Sequence, residues 1–190
     1  MRFINYITMY KSTYIIPDDL PTKKTKKPHP PGVTFSLLGK NQLDYFDLLA
    51  KDMEGKVINH RLKRNDVCIL AHNDKELFSY VWMNFFGMKK IGEIKLPISV
   101  GEGESYVYDA DIATAWKENK VFITRILLFN LSEMYRYLKS RNIKKILVYT
   151  STKNKFIQHY LKNIGYKHCQ LLRYIKLFKF NIFKSLKNLN

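Results

Sequence analysis

Three segments carry the clearest structural pattern of this chain: SYVYDADI over residues 105–112, KVFITRILLFNLSEMYRYLKS over 120–140 and KILVYT over 145–150. The first and third segments are rich in β-branched and aromatic residues, which predicts two strands. Between them, apolar residues recur every three or four positions, which predicts one long amphipathic helix over about 120–140. Asn142 follows this helix at the position of a left-handed cap. The central pattern is therefore strand, helix, strand.

The flanking sequence extends this pattern in both directions. Upstream we predict three strands and one helix: Val33–Leu38, a helix over about 41–54, then Val67–Ala71 and Leu77–Phe86 as a hairpin. Downstream we predict a helix over about 153–163, capped by Ser151 or Thr152 and ended by Gly165, and a last strand within Cys169–Phe180. The sequence therefore predicts a mixed α+β domain, with a mostly antiparallel sheet flanked by helices.

Composition divides the chain into three parts. The 190 residues are 46% hydrophobic, enough for a real core, which excludes a disordered protein. Prolines and lysines crowd residues 17–32, so we predict an extended arm over 1–32. We assign the single domain to 33–178 and a basic tail to 179–190.

The charge balance indicates an affinity for polyanions. There are 33 Lys and Arg against 16 Asp and Glu, a formal charge of +17, which attracts nucleotide phosphates, nucleic acid or anionic lipid. No signature of a nucleic-acid-binding domain accompanies it, which argues against nucleic acid as the main partner. Two distant cysteines without a CxxC spacing fit a reducing compartment. With no apolar run of about 20 residues and no signal-peptide pattern, we expect a cytoplasmic protein.

The C-terminal tail allows two interpretations. Read as a helix, six apolar residues share one side and lysines crowd the rest, which is typical of a helix lying on an anionic membrane: Leu171, Ile175, Phe178, Ile182, Leu186 and Leu189. Alternatively, Leu171–Phe178 is the last strand of the domain and only the final dozen residues are additional. The sequence favours the strand for the first half and leaves peripheral membrane contact open for the second.

Three segments resemble those of a known family. They are the strand Tyr106–Ile112 followed by Ala113–Lys117 and the long helix, the strand Lys145–Thr150 with Asn154 after it, and Ile164-Gly165-Tyr166. Together they resemble the GCN5-related N-acetyltransferase (GNAT) family over about 33–178. The resemblance implies a GNAT-like single domain with acetyl-CoA as co-substrate and a primary amine as acceptor.

The resemblance also implies where acyl-CoA would bind. In the family, a turn of Arg/Gln-x-x-Gly-x-Gly/Ala type presents backbone N–H groups to the pyrophosphate at a helix N-terminus. In this chain Lys117 replaces the Arg/Gln, whereas Lys120 and Phe122 occupy both glycine positions. The implied contacts come from the strand end, the turn and the later helix: Ile112, Ala113, Thr114, Lys117, Glu118, Asn119, Lys120, Val121, Phe122 and Asn154.

Candidate catalytic residues come from the strand and from the later helix. An amine nucleophile is cationic at neutral pH and must lose a proton, which a carboxylate can accept. Asp109 and Asp111 are two apart on the strand and are expected on one face; Asp109 is the first candidate, with Glu104 a weaker third. In many relatives a Tyr four residues before the Gly protonates the leaving thiolate. That position holds Leu161 here, and the neighbouring Tyr160 is the candidate acid.

Two function classes follow from these observations. The leading hypothesis is an acyl-CoA-dependent N-acetyltransferase acting on an amino sugar, a small metabolite or a peptide. The alternative is a catalytically inactive GNAT-fold binding or scaffold protein that contacts an anionic membrane or nucleic acid. The histidines and cysteines show neither HExxH nor paired metal-ligand spacing, so we predict no metal site.

Overall fold

A computed structural model describes residues 4–17, 32–41, 43–73, 75–85, 87–91, 96–116, 118, 120–177 and 180–189. These residues form ten strands, four α-helices and a short 3-10 helix over Thr114–Trp116. In chain order the elements are β1 (Ile4–Ile15), β2 (Thr34–Leu38), α1 (Phe46–Ala50), α2 (Gly55–Lys63), β3 (Val67–His72), β4 (Leu77–Asn84), β5 (Gly87–Ile91), β6 (Leu96–Val100), β7 (Glu104–Ile112), α3 (Lys120–Ser140), β8 (Lys145–Ser151), α4 (Lys155–Asn163), β9 (Lys167–Leu177) and β10 (Phe180–Asn188).

The chain forms two compact units, each assembled from separate stretches of sequence. The first unit comprises residues 1–16, 85–106 and 144–190. Its strands follow the order β10-β9-β1-β8-β7, and every neighbouring pair is antiparallel except β7 and β8. The hairpin β5–β6 and helix α4 also belong to this unit. Met9, Ile146, Leu147 and Leu172 are among its buried apolar side chains.

The second unit comprises residues 17–84 and 107–143, and it takes up the second half of β7. Its strand order is β7-β4-β3-β2, with β2, β3 and β4 paired antiparallel. Apolar side chains alternate between the two faces of these strands. Leu38, Leu70 and Trp82 pack with residues of α1 and α2 in one buried cluster, whereas Ala71 and Phe78 pack with Ile126 of α3 in another.

Most predicted elements are confirmed. The chain is mixed α+β with a mostly antiparallel sheet, and the predicted long helix coincides with α3. Asn142 adopts a φ of 58°, which is the left-handed conformation predicted after that helix. Gly165 follows α4 with a φ of 93°, and a Cβ there would lie 3.2 Å from the Tyr14 ring. Both the backbone conformation and the close ring therefore favour glycine at this position.

Two predictions about helices are wrong in detail. Instead of the single helix expected over 41–54, the chain forms the short α1 and a second helix, α2, which begins at Gly55. In a sequence, a glycine at this position is more typical of a helix end than of a helix start. The apolar spacing continues through Ile58 and Leu62, and both side chains are buried against the strands. The cap of α4 is Asn154, whose side chain accepts a hydrogen bond from the Ile157 N–H, rather than Ser151 or Thr152.

Both chain ends contain strands that the sequence interpretation missed. Within the predicted arm, β1 pairs with β8 and β9. Its β-branched and aromatic residues suit a central strand. Residues 18–31 of the predicted arm lie outside the described residues. In the tail, β10 pairs with β9, so the helical interpretation is wrong for residues 180–188. The boundaries at 32/33 and 178/179 stay predictions. Within the described part of the chain, no helix has the length and apolar character needed to cross a membrane.

Candidate functional site

The acidic end of strand β7 changes conformation at Asp109. Residues 105–107 are buried, but Asp109 and Ala110 are exposed, and Asp109 adopts a φ of 49°. A residue other than glycine with positive φ is uncommon in a strand, although Asp tolerates this region better than most side chains. The strict alternation that predicted Asp109 and Asp111 on one face is therefore interrupted at Asp109.

An arginine that sequence reasoning missed holds Asp109. Arg61 of α2 forms an ion pair with the Asp109 carboxylate, with 2.5 Å between Nη1 and Oδ2. The guanidinium carbon lies 5.1 Å from the ring centroid of Trp82 and 5.1 Å from that of Tyr108, within cation–π range of both rings. One oxygen of Asp109 is thus committed to Arg61, and a bound ammonium could meet only the other oxygen without breaking this pair.

A buried carboxylate holds one of the two rings that flank Arg61. Asp66 is fully buried and accepts hydrogen bonds from the Tyr108 hydroxyl at 2.5 Å and from Arg64 Nε at 3.1 Å. Further short contacts reach it from Arg64 Nη2 and Asn84 Nδ2. Burial, and then the charge of Asp66, raises the pKa of Tyr108 far above its ordinary value. This network fixes the Tyr108 ring against Arg61.

Three carboxylates act on one buried tyrosine. Burial raises the pKa of Tyr80 well above its ordinary value, and the charges of Asp109, Asp111 and Asp52 raise it further, whereas Arg61 opposes them. Among the charged groups that act on Tyr80, three carboxylates are thus opposed by one arginine, in a chain of formal charge +17. Such a field attracts a cation. Within the described ranges, no three His, Cys, Asp or Glu side chains lie close enough to hold a metal ion.

At the strand end where the resemblance implies acyl-CoA contacts, the backbone N–H groups of residues 112–114 already donate to other acceptors. The N–H of Ile112 donates to the Asp111 carboxylate at 2.8 Å, and that of Ala113 donates to the Phe78 carbonyl at 2.9 Å. The N–H of Thr114 donates to both oxygens of Asp52, at 3.1 and 3.2 Å. Sequence reasoning missed Asp52, which lies between α1 and α2. A ligand that used the Thr114 N–H would have to displace this carboxylate.

The predicted pyrophosphate turn is described only in part. Lys117 and Asn119 lie outside the described residues, as do the side chains of Lys120, Val121 and Phe122. Glu118 is exposed, and helix α3 begins at Lys120, as the apolar spacing predicted. The first N–H groups of such a helix have no partner within the helix and favour an anion.

The remaining candidates lie in the first unit. The Tyr160 hydroxyl on α4 is buried and has no hydrogen-bond partner among the described residues, and burial raises its pKa to about 12. Leu161 is buried beside it in sequence, and Asn154 uses its side-chain oxygen to cap α4. Glu104 forms an ion pair of 2.7 Å with Lys145 and accepts the Gly101 N–H, which indicates a structural role.

Comparisons with known proteins support the fold. The sequence matches no protein-family model and no curated protein. Solved structures do match. A tandem GNAT protein from the clavulanic acid biosynthesis pathway gives a TM-score of 0.56 at 10% identity over 98% of this chain and 55% of that chain. A GNAT-family acetyltransferase from Colwellia psychrerythraea gives 0.52 at 9% identity over 96% and 57%.

A third structure agrees with these two. The GCN5-related N-acetyltransferase from Sphaerobacter thermophilus gives a TM-score of 0.52 at 8% identity over 98% of this chain and 55% of its own. This chain therefore spans a little over half the length of the three structures. At such identities the likeness shows the fold alone, and the chain has a GNAT-like fold.

Proposed function

We propose that this protein is an acyl-CoA-dependent N-acetyltransferase that acts on a primary amine by direct attack on the thioester. The observation that carries the proposal is the acidic set Asp52, Asp109 and Asp111 around Tyr80, on and beside the strand that leads into α3. In a strongly basic chain, this local negative field suits a cationic acceptor better than an anionic one. The GNAT-like fold supplies the reaction class by analogy.

In the proposed reaction the amine nitrogen attacks the thioester carbonyl carbon. The protonated acceptor loses one proton before the attack, and its nitrogen loses a second as the amide forms; the carbon–sulfur bond breaks, and CoA leaves as a thiolate that takes up one proton from solvent. Asp109 accepts the first proton, directly or through water, with the oxygen that Arg61 does not hold, and the second passes to solvent. Clamping of Arg61 by two aromatic rings keeps that carboxylate in one position, which favours the geometry of attack.

Tyr160 is proposed to stabilise the leaving thiolate. Its pKa of about 12 keeps the hydroxyl protonated at neutral pH. A thiol is the stronger acid, with an ordinary pKa of about 8.5, so full proton transfer from Tyr160 to the thiolate is unfavourable. We therefore assign Tyr160 a hydrogen bond to the sulfur, which would satisfy its buried hydroxyl, and leave the final protonation to solvent.

Binding of acyl-CoA is proposed to depend on the start of α3. Helix α3 has 21 residues and begins at Lys120, and the N-terminus of such a helix suits the pyrophosphate. The N–H groups of residues 112–114 already donate to other acceptors. The pantetheine arm therefore either pairs with carbonyl groups there or displaces Asp52 from Thr114.

A calorimetric titration of the folded protein with acetyl-CoA at low salt tests the proposal. We expect saturable binding, followed by acetylation of at least one member of a panel of primary amines and polyamines. Asp109→Asn should reduce the rate of transfer while acetyl-CoA binding persists. Its matched control is Asp44→Asn, at an exposed carboxylate before α1. Absence of binding at millimolar acetyl-CoA would contradict the proposal.

A binding protein without catalysis is the second candidate. The observations that favour it are the occupied N–H groups at 112–114 and the commitment of one Asp109 oxygen to Arg61. This candidate predicts that acyl-CoA or an amine binds without acetyl transfer. Binding of acetyl-CoA with no product from the whole amine panel would favour it over the enzyme.

A further inference from the structure

A groove in the second unit is lined by none of the residues proposed for catalysis. It has a volume of about 300 Å³ and runs between strands β2 and β3 and the C-terminal half of α3. Its apolar wall is formed by the strand residues Phe35, Leu37 and Ile69. On the helix side, the groove is lined by Glu133, Arg136 and Tyr137. This volume is at the lower end of the range for small-molecule sites, so the groove suits a ligand no larger than a single metabolite.

An ion pair lies in the wall of this groove. Arg136 and Glu133 are one helical turn apart and pair through Nη2 and Oε1, with side chains only 11% and 14% exposed. Arg136 Nε is buried and has no hydrogen-bond partner among the described residues. A buried donor left without an acceptor is costly, so a ligand oxygen placed there would be stabilised. Burial also lowers the pKa of Arg136 below its ordinary value.

The charges of the groove side chains favour a ligand without net charge. The groove contributes one positive and one negative side chain, so an anionic ligand would leave a net negative charge in a largely buried site. A cationic ligand would leave a net positive charge, and either outcome carries a desolvation cost. A zwitterion adds no net charge and places a carboxylate on Arg136 and an ammonium on Glu133. Its planar carboxylate can accept from two guanidinium N–H groups at once.

We propose that this groove binds a free α-amino acid with an apolar side chain. The ammonium and carboxylate of such a ligand are attached to one carbon, which matches two side chains at positions i and i+3 of a helix. Its side chain lies against Phe35, Leu37 and Ile69. The site is separate from the acidic set of β7, so the inference does not depend on the proposed acetyltransferase activity.

Calorimetry with L-leucine as the probe tests the inference on the full chain. We expect saturable binding, and binding at least about tenfold weaker for 3-methylbutylamine, which lacks the carboxylate, and for 4-methylpentanoate, which lacks the ammonium. Equal affinity for the three probes, or no binding of leucine at about 10 mM, overturns the inference.

Three variants locate the binding. Arg136→Met should weaken leucine binding by at least about tenfold, whereas Arg125→Met, at an exposed arginine of the same helix, should leave it unchanged. Leu37→Trp narrows the groove from β2 without touching the ion pair, and it should abolish binding. If circular dichroism shows that Arg136→Met does not fold, leucine binding by Leu37→Trp is the deciding measurement. Unchanged binding in Leu37→Trp, or loss of binding in Asp109→Asn alone, contradicts the assignment.

Discussion

At the scale of single residues, Asp66 is the most constrained carboxylate of the described chain. It is fully buried and accepts from Arg64, Asn84 and Tyr108. Asp66→Asn removes the charge that compensates Arg64 and replaces an acceptor by a donor. We expect a loss of about 3–5 kcal/mol in the free energy of unfolding, measured by urea denaturation. The exposed control Asp44→Asn should change it by less than about 0.5 kcal/mol; similar values for the two variants would contradict the role of this network.

Tyr160 allows stability and activity to be separated. Its hydroxyl has no partner among the described residues, so Tyr160→Phe should leave the free energy of unfolding unchanged or slightly raised. If Tyr160 stabilises the leaving thiolate, the same variant should lose at least about tenfold in kcat. Tyr108→Phe is the contrasting variant, because its hydroxyl bonds Asp66, and it should lose about 1–3 kcal/mol of stability. Unchanged kcat in Tyr160→Phe would remove this residue from the mechanism.

At the scale of elements, the start of β7 is held by a pH-dependent contact. Burial acts to raise the pKa of Glu104, but hydrogen bonds from Lys145 and the Gly101 N–H outweigh it and lower the pKa below its ordinary value of 4.5. A pKa that is lower in the folded state stabilises the protein above the unfolded value, and this contribution is lost as the pH falls through the folded value. The stability difference between wild type and Glu104→Gln should therefore be present at pH 7 and shrink below about pH 4.5.

Urea denaturation at a series of pH values measures that difference. Glu102→Gln is the matched control, since Glu102 is an exposed carboxylate two residues away. A difference between wild type and Glu104→Gln that stays constant down to pH 3 would show that the Lys145 contact does not depend on ionisation.

Substitutions at the start of helix α4 show which residue caps it. Asn154→Ala removes the side-chain acceptor of the Ile157 N–H and should cost about 1 kcal/mol, whereas Asn154→Asp should retain the cap. Thr152→Ala, at a position that sequence reasoning offered as the cap, should cost little. Thermal or urea unfolding of the three variants decides between the two positions, and a larger loss for Thr152→Ala would reverse the assignment.

At the scale of the whole molecule, the formal charge of +17 governs association with anionic ligands. If acyl-CoA binds as proposed, its phosphates are attracted over a distance set by the ionic strength, about 10 Å at 0.1 M salt. We expect the affinity for acetyl-CoA to fall steadily as salt is raised from 50 to 300 mM, about severalfold overall. An affinity independent of salt in this range would show that the net charge plays no part in binding.

Local pattern was sufficient for much of the fold. The helical period of 120–140, the alternation around β7 and β8 and the glycine after α4 each depend on residues within a few positions of one another, so sequence alone predicted them. The same information failed at both ends. Strand β1 depends on its partners β8 and β9, which lie far away in the sequence. Strand β10 pairs with the neighbouring β9, but its apolar spacing also fits a helix, so the local pattern does not choose between the two.

Composition and local pattern are enough to predict the fold class, the basic character and the acidic end of β7. The groups that contact one another at this end of β7 are known only from the three-dimensional packing. Asp52 lies 62 residues from the Thr114 N–H that it occupies, and Arg61 reaches Asp109 from a helix that sequence reasoning did not find. Local periodicity specifies which face of an element is apolar, whereas an ion pair or an occupied N–H group depends on how distant elements pack. That is why the sequence could offer candidate carboxylates but not the groups that contact them.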